Sequence, residues 1–193
     1  MGVNERSYEL GDLGLQVSGS ARVAMRPEPV AETWFALQTR YRFEKKVASQ
    51  LSGKGMEVFL PLRKESREWS DRSKVVMVPL FPGYAFVRAA KSVALRLLVL
   101  QTAGVMGFVS FAGTAATVPH KQIEDLQRLL AQEVPFSLHH FVQAGQRVRI
   151  RGGCLHGIEG LVTQREKGKL VISIESIQRS LAVEIQGYDV EMI

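Results

Sequence analysis

The residues that could do chemistry in this sequence are few, and they do not form a catalytic set. Cys154 and His156 lie two residues apart, a spacing that would suit a metal site or a thiol nucleophile. A zinc site needs about four ligands, and no second pair has a suitable spacing. His139 and His140 stand in the predicted linker, where we expect them to be exposed to solvent and not to ligate a metal. No phosphate loop or dinucleotide fingerprint occurs, so the sequence predicts no enzyme, no metal and no cofactor.

A second group of residues is apolar and aromatic. Residues 79–87 contain three aromatic side chains, two prolines and a glycine. Proline fixes the backbone and glycine allows a tight turn, while strand alternation sends Tyr84 and Phe86 to one face. Composition alone favours a plain core, although a groove that receives a partner helix has the same composition.

Helix and strand patterns alternate around this group. Phe43, Val47 and Leu51 recur every four residues and predict a helix over 41–54. An apolar face entered after Pro119 predicts a second helix over 120–132. Strands and helices mix without a long parallel series, which predicts an α+β sandwich. Further elements are predicted as a helix at 92–100 and strands at 34–38, 57–61, 75–78, 84–87 and 105–111, with a hairpin or mobile loop at 63–74.

The pattern changes in the last quarter of the chain. Leu170, Ile172 and Ile174 alternate at period two, and similar short runs precede and follow them between glycines. Five short strands within about 50 residues predict a small closed barrel, because closure removes the exposed edges of a small sheet. The predicted organisation is a poorly ordered extension at 1–32, a first domain at 33–132, a linker at 133–140 and a barrel domain at 141–193.

Charge and composition bound the class of protein. The formal net charge is +6, and residues 33–74 hold ten basic and five acidic side chains. This stretch could face phosphates or be an ordinary solvated surface, and charge alone does not decide between them. No apolar run reaches the roughly 18–20 residues of a membrane span. Cys154 has no second cysteine to pair with. We therefore predict a cytoplasmic protein that does not enter a membrane.

Several blocks of the sequence, in the same order, resemble the NusG family of transcription factors. Residues 81–87 resemble its FPGY signature, and residues 145–160 resemble a KOW domain. The resemblance covers 33–193 and implies an NGN-type α/β sandwich with an antiparallel sheet, followed by an SH3-like β-barrel. Supporting blocks lie at 34–39, 43–47 and 105–109.

The resemblance implies a transcription elongation factor. In this family the first domain holds the clamp helices of the largest subunit of bacterial RNA polymerase, suppresses pausing and modulates termination or antitermination. Aromatic side chains are enriched at the energetic centres of interfaces, which favours Phe81 and Tyr84 for contact. The matched polymerase-binding residues are Phe81, Pro82, Gly83 and Tyr84, with Trp34 and Phe43 in support.

The resemblance also implies nucleic-acid and protein partners. The basic stretch would lie near upstream or non-template DNA and contact phosphates without reading sequence. Trp69 could pack on the body of the domain or stack on a base, and we expect packing. KOW barrels of this family recruit the termination factor Rho or a small-subunit ribosomal protein through exposed apolar loop residues, here Leu155 and Ile158. The basic residues that would lie near DNA are Arg63, Lys64, Arg67, Arg72 and Lys74.

Two features resemble specialised paralogues of the RfaH or UpxY kind. These are the loop at 66–72 and the extension at 1–32, and such paralogues are antiterminators on selected operons. The glycine-punctuated, β-branched strands of the second domain predict that it stays a barrel and does not refold into helices. KOW barrels also occur in ribosomal proteins, so a ribosome- or RNA-binding protein is the alternative function.

Overall fold

The computed structural model describes residues 32–69, 72–132, 134–142, 144–163 and 168–193, without the side chains of Trp69, Arg72 and His140. The predicted extension lies outside the described residues except for Glu32. The predicted packing of the Trp69 side chain lies outside them as well.

An antiparallel sheet with helices on both faces forms the first domain. Its main strands are ordered β2-β5-β1-β6, and β9 pairs with β1 as well. The elements in chain order are β1 (Glu32–Thr39), α1 (Glu44–Gly53), β2 (Glu57–Phe59), β3 (Leu62–Trp69), β4 (Arg72–Pro79), β5 (Tyr84–Ala90), α2 (Val93–Leu100), β6 (Val105–Phe108), β7 (Ser110–Phe111), β8 (Thr114–Ala115), β9 (Thr117–Val118) and α3 (His120–Ala131).

Strand β1 is apolar on both faces because both faces are covered. Trp34 and Ala36 belong to one apolar cluster with the buried side of α3, whereas Phe35 and Leu37 belong to a second cluster with α1 and α2. All four side chains are buried. A strand covered on both sides loses the simple alternation of apolar and polar residues, which explains the continuous apolar run at this point.

The structure confirms the three predicted helices, and their ends lie within three residues of the predicted ones. Helix α1 begins at Glu44 and not at residue 41, because Arg42 has a φ of +66°. A left-handed residue cannot continue a right-handed helix. Helix α2 begins after Ser92, whose Oγ accepts a hydrogen bond from the Leu95 N–H at 3.5 Å.

The charged stretch between β2 and β5 is a two-stranded hairpin. Strands β3 and β4 pair from Leu62 opposite Pro79 to Trp69 opposite Arg72. Of the two predictions for this stretch, the hairpin is therefore the one observed. The single strand predicted at 105–111 is divided into β6 and β7 at Val109, whose N–H donates to the Ala36 carbonyl at 2.9 Å.

Among the described residues from 134 onward, six strands form the barrel domain. Their order in the sheet is β10-β14-β13-β12-β11-β15. Leu170 lies opposite Val183 and Ile172 opposite Leu181, and these buried pairs give the period-two pattern seen in the sequence. The strands are β10 (Phe136–His140), β11 (Gln146–Arg151), β12 (Glu159–Val162), β13 (Lys169–Ile174), β14 (Arg179–Glu184) and β15 (Asp189–Met192), with a 3₁₀ turn at Glu175–Ile177.

The stretch predicted as a linker at 133–140 is mostly a strand. Phe136–His140 forms β10 and pairs with β14, from Phe136 opposite Val183 to His140 opposite Arg179. Pro135 precedes this strand and gives the sequence the composition of a loop. The paired residues are 39 to 47 positions apart in the chain, so no local pattern reveals the pairing.

Candidate protein-binding surface

The aromatic block singled out in the sequence forms a tight turn before β5. The Tyr84 N–H donates to the Phe81 carbonyl at 3.1 Å, which closes a four-residue turn with Pro82 and Gly83 at its centre. Gly83 has a φ of +83°. Proline followed by a left-handed glycine is the sequence pattern of a type II turn. The backbone at this point is therefore fixed by residue type.

Two hydrogen bonds attach this turn to its neighbours. The Thr39 N–H at the end of β1 donates to the Gly83 carbonyl at 2.8 Å. The Gly83 N–H donates at 2.8 Å to Oε1 of Glu44, a buried carboxylate in the first turn of α1. Sequence reasoning did not assign Glu44 a role. Its only sequence signal is an acid at a helix start, which the helix dipole alone would favour.

Replacing Glu44 tests this attachment. Glu44→Ala is expected to lower the free energy of unfolding by about 1–3 kcal/mol, because the Gly83 N–H loses its acceptor in a buried place. Glu44→Gln keeps an acceptor oxygen and is expected to lose less. Urea denaturation of both variants measures the difference. Equal losses would mean that the hydrogen bond to Gly83 does not stabilise the turn.

The six matched residues divide between core and surface. Trp34 and Phe81 are each 2% exposed and belong to the cluster under α3. Phe81 meets Phe86 edge to face, with ring centroids 6.4 Å apart. Pro82 is exposed, and Tyr84 is half-buried at the edge of the same cluster. The surface available to a partner is thus formed by Pro82, Gly83 and Tyr84, which we call the turn surface, on a support of Phe81 and Trp34.

Phe43 lies elsewhere. It packs with the cluster on the opposite face of the sheet, together with Val47. A Cβ on Gly104 would come within 2.8 Å of the Phe43 ring, so this contact is close. The structure therefore does not bring Phe43 to the turn surface by direct packing.

A groove of about 400 Å³ separates the turn surface from the base of the hairpin. Tyr41, Arg42 and Lys45 line one side, and Pro82 contributes to the lining. The Lys45 Nζ donates to the Met77 carbonyl at 2.6 Å and ties α1 to β4. The hairpin is therefore anchored beside the turn surface at its base.

The basic residues of the hairpin do not share one face. Arg63 and Arg67 are an even number of positions apart in β3, whereas Lys64 is an odd number of positions from each. Lys74 of β4 lies directly opposite Arg67. Arg63, Arg67 and Lys74 therefore point to one side, and Lys64 points to the other. Glu65 accepts from Arg63 at 2.5 Å and from Arg67 at 3.1 Å. The side chain of Arg72 lies outside the described residues.

The apolar residues of the loop between β11 and β12 are more buried than expected. Leu155 and Ile158 were expected to be exposed, yet each is only 1% exposed. Both belong to the apolar cluster that also contains Ile123, Leu126 and Leu129 of α3. The structure therefore places this loop in a contact between the two domains. The barrel considered by itself does not predict this contact.

Three polar contacts surround this interdomain contact. Lys121 Nζ donates to the Gly157 carbonyl at 2.7 Å, and Arg128 Nη1 donates to the His156 carbonyl at 3.0 Å. The Glu159 N–H donates to Asp125 Oδ2 at 3.2 Å. Helix α3 thus presents its apolar side to the sheet and the barrel, and its polar side chains to the backbone of the loop. We call this contact the α3–loop interface.

The first domain matches the model of a known protein family. The family model described as "Transcription termination factor nusG" matches residues 32–127, the range that holds the turn surface, the hairpin and most of α3. Curated NusG proteins match over both domains. The chain belongs to the NusG family.

Its relatives in the family are distant. The "Transcription termination/antitermination protein NusG" of Lactococcus lactis is 27% identical over 175 residues, covering 83% of this chain and 92% of the relative. The protein of the same name from Staphylococcus carnosus is 26% identical and covers 88% of this chain and all of the relative. A solved structure titled "Domain interaction in Thermotoga maritima NusG" aligns with 82% of this chain and 97% of its own, at 21% identity and a TM-score of 0.49.

The remaining candidate residues of this NusG-family chain have structural partners. His156 Nδ1 accepts from the Gly152 N–H at 2.9 Å, and Cys154 Sγ lies 3.1 Å from the Tyr188 hydroxyl. His120 Nδ1 accepts from the Trp34 indole at 3.0 Å. Within the described ranges, no group of three or more His, Cys, Asp or Glu could hold a metal ion. None of the described helices is long and apolar enough to cross a membrane.

Asp125 is the buried charge of the α3–loop interface. Burial raises the pKa of its carboxyl, although Lys121 and the Glu159 N–H act in the opposite direction. Glu159 adds to the increase through like charge. Desolvation thus outweighs the ion pair with Lys121, so burying the charged form of Asp125 costs free energy in the folded chain.

The sign of this pKa shift predicts a pH dependence. The docked state binds the Asp125 proton more tightly than a separated state in which the carboxyl meets water. Docking is therefore expected to strengthen as the pH falls through the raised pKa, and to weaken as the pH rises. An interdomain fluorescence energy transfer pair measures this, and Asp125→Asn, which keeps an acceptor for Glu159, should flatten the profile. An unchanged profile in that variant would exclude Asp125 as the titrating group.

Proposed function

We propose that this chain is a transcription elongation factor that binds bacterial RNA polymerase through the turn surface and thereby modulates pausing and termination or antitermination. The observation that carries the proposal is the turn itself, which lies within the matched NusG domain and has its conformation fixed by Pro82, Gly83 and Glu44. The names of the relatives, which are termination and antitermination proteins, support the same process.

The turn surface has the physical properties of a preformed docking site. Its backbone is held by hydrogen bonds to β1 and α1, so little conformational entropy is lost on binding. Tyr84 offers an aromatic ring with a polar end on a support of buried aromatic rings. In this proposal the clamp helices of the largest polymerase subunit lie against Tyr84 and Pro82, as helices lie in apolar grooves elsewhere.

The hairpin would support DNA beside this contact. Arg63, Arg67 and Lys74 lie on one face of the hairpin, with Glu65 between the two arginines. A DNA phosphate on this face would balance the remaining positive charge. We infer a contact with upstream or non-template DNA that depends on charge and not on base sequence.

The barrel would recruit a second protein, such as Rho or a small-subunit ribosomal protein. The apolar loop residues Leu155 and Ile158 carry this proposal, and they are buried in the α3–loop interface. Binding through them therefore requires the barrel to leave α3 first. The affinity of such a partner is reduced by the fraction of molecules that remain docked.

Pull-down of purified bacterial core RNA polymerase tests the main proposal. Tyr84→Ala is expected to weaken retention at least about tenfold, since truncating a central aromatic residue often costs 2 kcal/mol or more. Phe111→Ala is the matched control, because Phe111 is an exposed aromatic residue of the same domain outside the turn surface. Equal retention of both variants would overturn the assigned surface, and salt-sensitive binding to ribosomal RNA without polymerase affinity would overturn the function.

A further inference from the structure

Helix α2 exposes apolar side chains that nothing in the described structure covers. All of its residues except Arg96 are apolar, yet Val99 is its only fully buried side chain. Val93 is 76% exposed and Leu97 is 51% exposed. A helix that is apolar on all sides is normally covered on all sides. The outer side of α2 therefore lacks its expected cover.

A groove lies next to this exposed side. It has a volume of about 380 Å³ and runs between the start of α2 and the β7–β8 hairpin. Its walls are mainly apolar, and Phe35 and Phe108 meet edge to face with centroids 5.6 Å apart. The apolar lining side chains are Phe35, Ala89, Ala90, Val93, Leu95, Phe108 and Ala115.

The chain enters β1 at the rim of this groove. Glu32, the first described residue, is paired with Ala90, which lines the groove. Residues 1–31 therefore continue from a point beside it. An extended chain covers about 3.3 Å per residue, so the 14 residues between 17 and 31 can span more than 40 Å. Any point of the groove and of α2 lies within that reach.

The composition of this preceding segment matches the surface. Leu13, Leu15 and Val17 stand at every second position, so a strand-like conformation would bring these three apolar side chains to one side. Residues 5–12 contain three acids and one base. Lys91 and Arg96 line the groove, so the charge of this acidic segment is complementary to the charge of the groove.

We propose that residues 10–17 of the same chain dock along α2 and the adjoining groove, with Leu13, Leu15 and Val17 against the apolar lining and the preceding acids near Lys91 and Arg96. The segment is thereby a cover for the first domain, on the face of the sheet opposite α3. This inference does not depend on polymerase binding.

Photo-crosslinking in the full chain tests the docking. A benzophenone amino acid at position 97 is expected to form crosslinks within one chain to residues 1–31, whereas the same group at exposed position 138 of the barrel should form none with that segment. Mixing isotope-labelled and unlabelled chains separates crosslinks within a chain from crosslinks between chains. Crosslinks between two copies at position 97, or the absence of any crosslink to residues 1–31, would overturn the proposal.

Hydrogen exchange gives an independent measurement. Changing Leu13, Leu15 and Val17 together to Ser in the full chain is expected to accelerate amide exchange of α2 about tenfold, because opening of the helix no longer requires loss of these contacts. Leu138→Ser serves as the control and should leave α2 unchanged. Exchange of α2 that is equal in the triple variant and the wild type would contradict the proposed cover. Exchange in α1 reports whether the domain itself is still folded.

Discussion

A Leu155→Asp variant is expected to detach the barrel from α3 and thereby to separate the two domains. Leu155 is buried in the cluster that joins them. The substitution removes about 1.5–3 kcal/mol of apolar burial and adds a carboxylate whose desolvation costs several kcal/mol more. The three polar contacts of the α3–loop interface stabilise docking by only about 0.5–1.5 kcal/mol each. Separation lets the new carboxylate reach water.

Small-angle scattering measures this separation as an increase in the radius of gyration. Leu138→Asp is the matched control, since Leu138 is half exposed on β10 of the same domain and should leave the scattering unchanged. Amide protection of β13 and β14 distinguishes separation from unfolding of the barrel. An unchanged scattering curve in Leu155→Asp, with α3 still protected, would show that Leu155 does not hold the domains together.

Phe86→Ala is expected to lower the free energy of unfolding of the first domain by about 3–5 kcal/mol. The Phe86 ring is fully buried between two others, with Phe59 stacked at 6.1 Å and Phe81 edge to face at 6.4 Å. Removal of the ring leaves a cavity beneath the turn surface. Because the turn surface then loses part of its support, polymerase binding is also expected to weaken.

Urea denaturation compares Phe86→Ala with Phe111→Ala, whose ring is 58% exposed. The exposed substitution should change the stability by no more than about 0.5 kcal/mol. A difference below about 1 kcal/mol between the two variants would contradict the central position of Phe86. Tyr84→Ala should fall between them, because Tyr84 is half-buried.

These predictions separate stability from docking and recruitment. Phe86 acts through the packing beneath the turn surface, and Tyr84 acts at that surface in the proposed function. Leu155 cannot contact α3 and a recruited partner at the same time, because the same side chain makes both contacts in the proposal. A partner that binds the loop must therefore offset the loss of the α3–loop interface.

The sequence by itself predicted the features that depend on local chemistry. Helical spacing located α1 and α3, period-two alternation located β13 and β14, and the order Pro82-Gly83 specified a tight turn. These signals are local because helix faces, strand alternation and turn dihedrals each involve only neighbouring residues. The division into an α/β domain and a barrel followed from the change of period between them.

Only the tertiary structure decided which of those side chains are available to a partner. Phe81 and Tyr84 are both aromatic residues of one turn, yet Phe81 is buried in the core and Tyr84 is only half-buried at its edge. Glu44 reaches a turn 39 residues away, and Leu155 is buried by a different domain. Burial of this kind arises from contacts distant in the chain, which no local period or composition encodes.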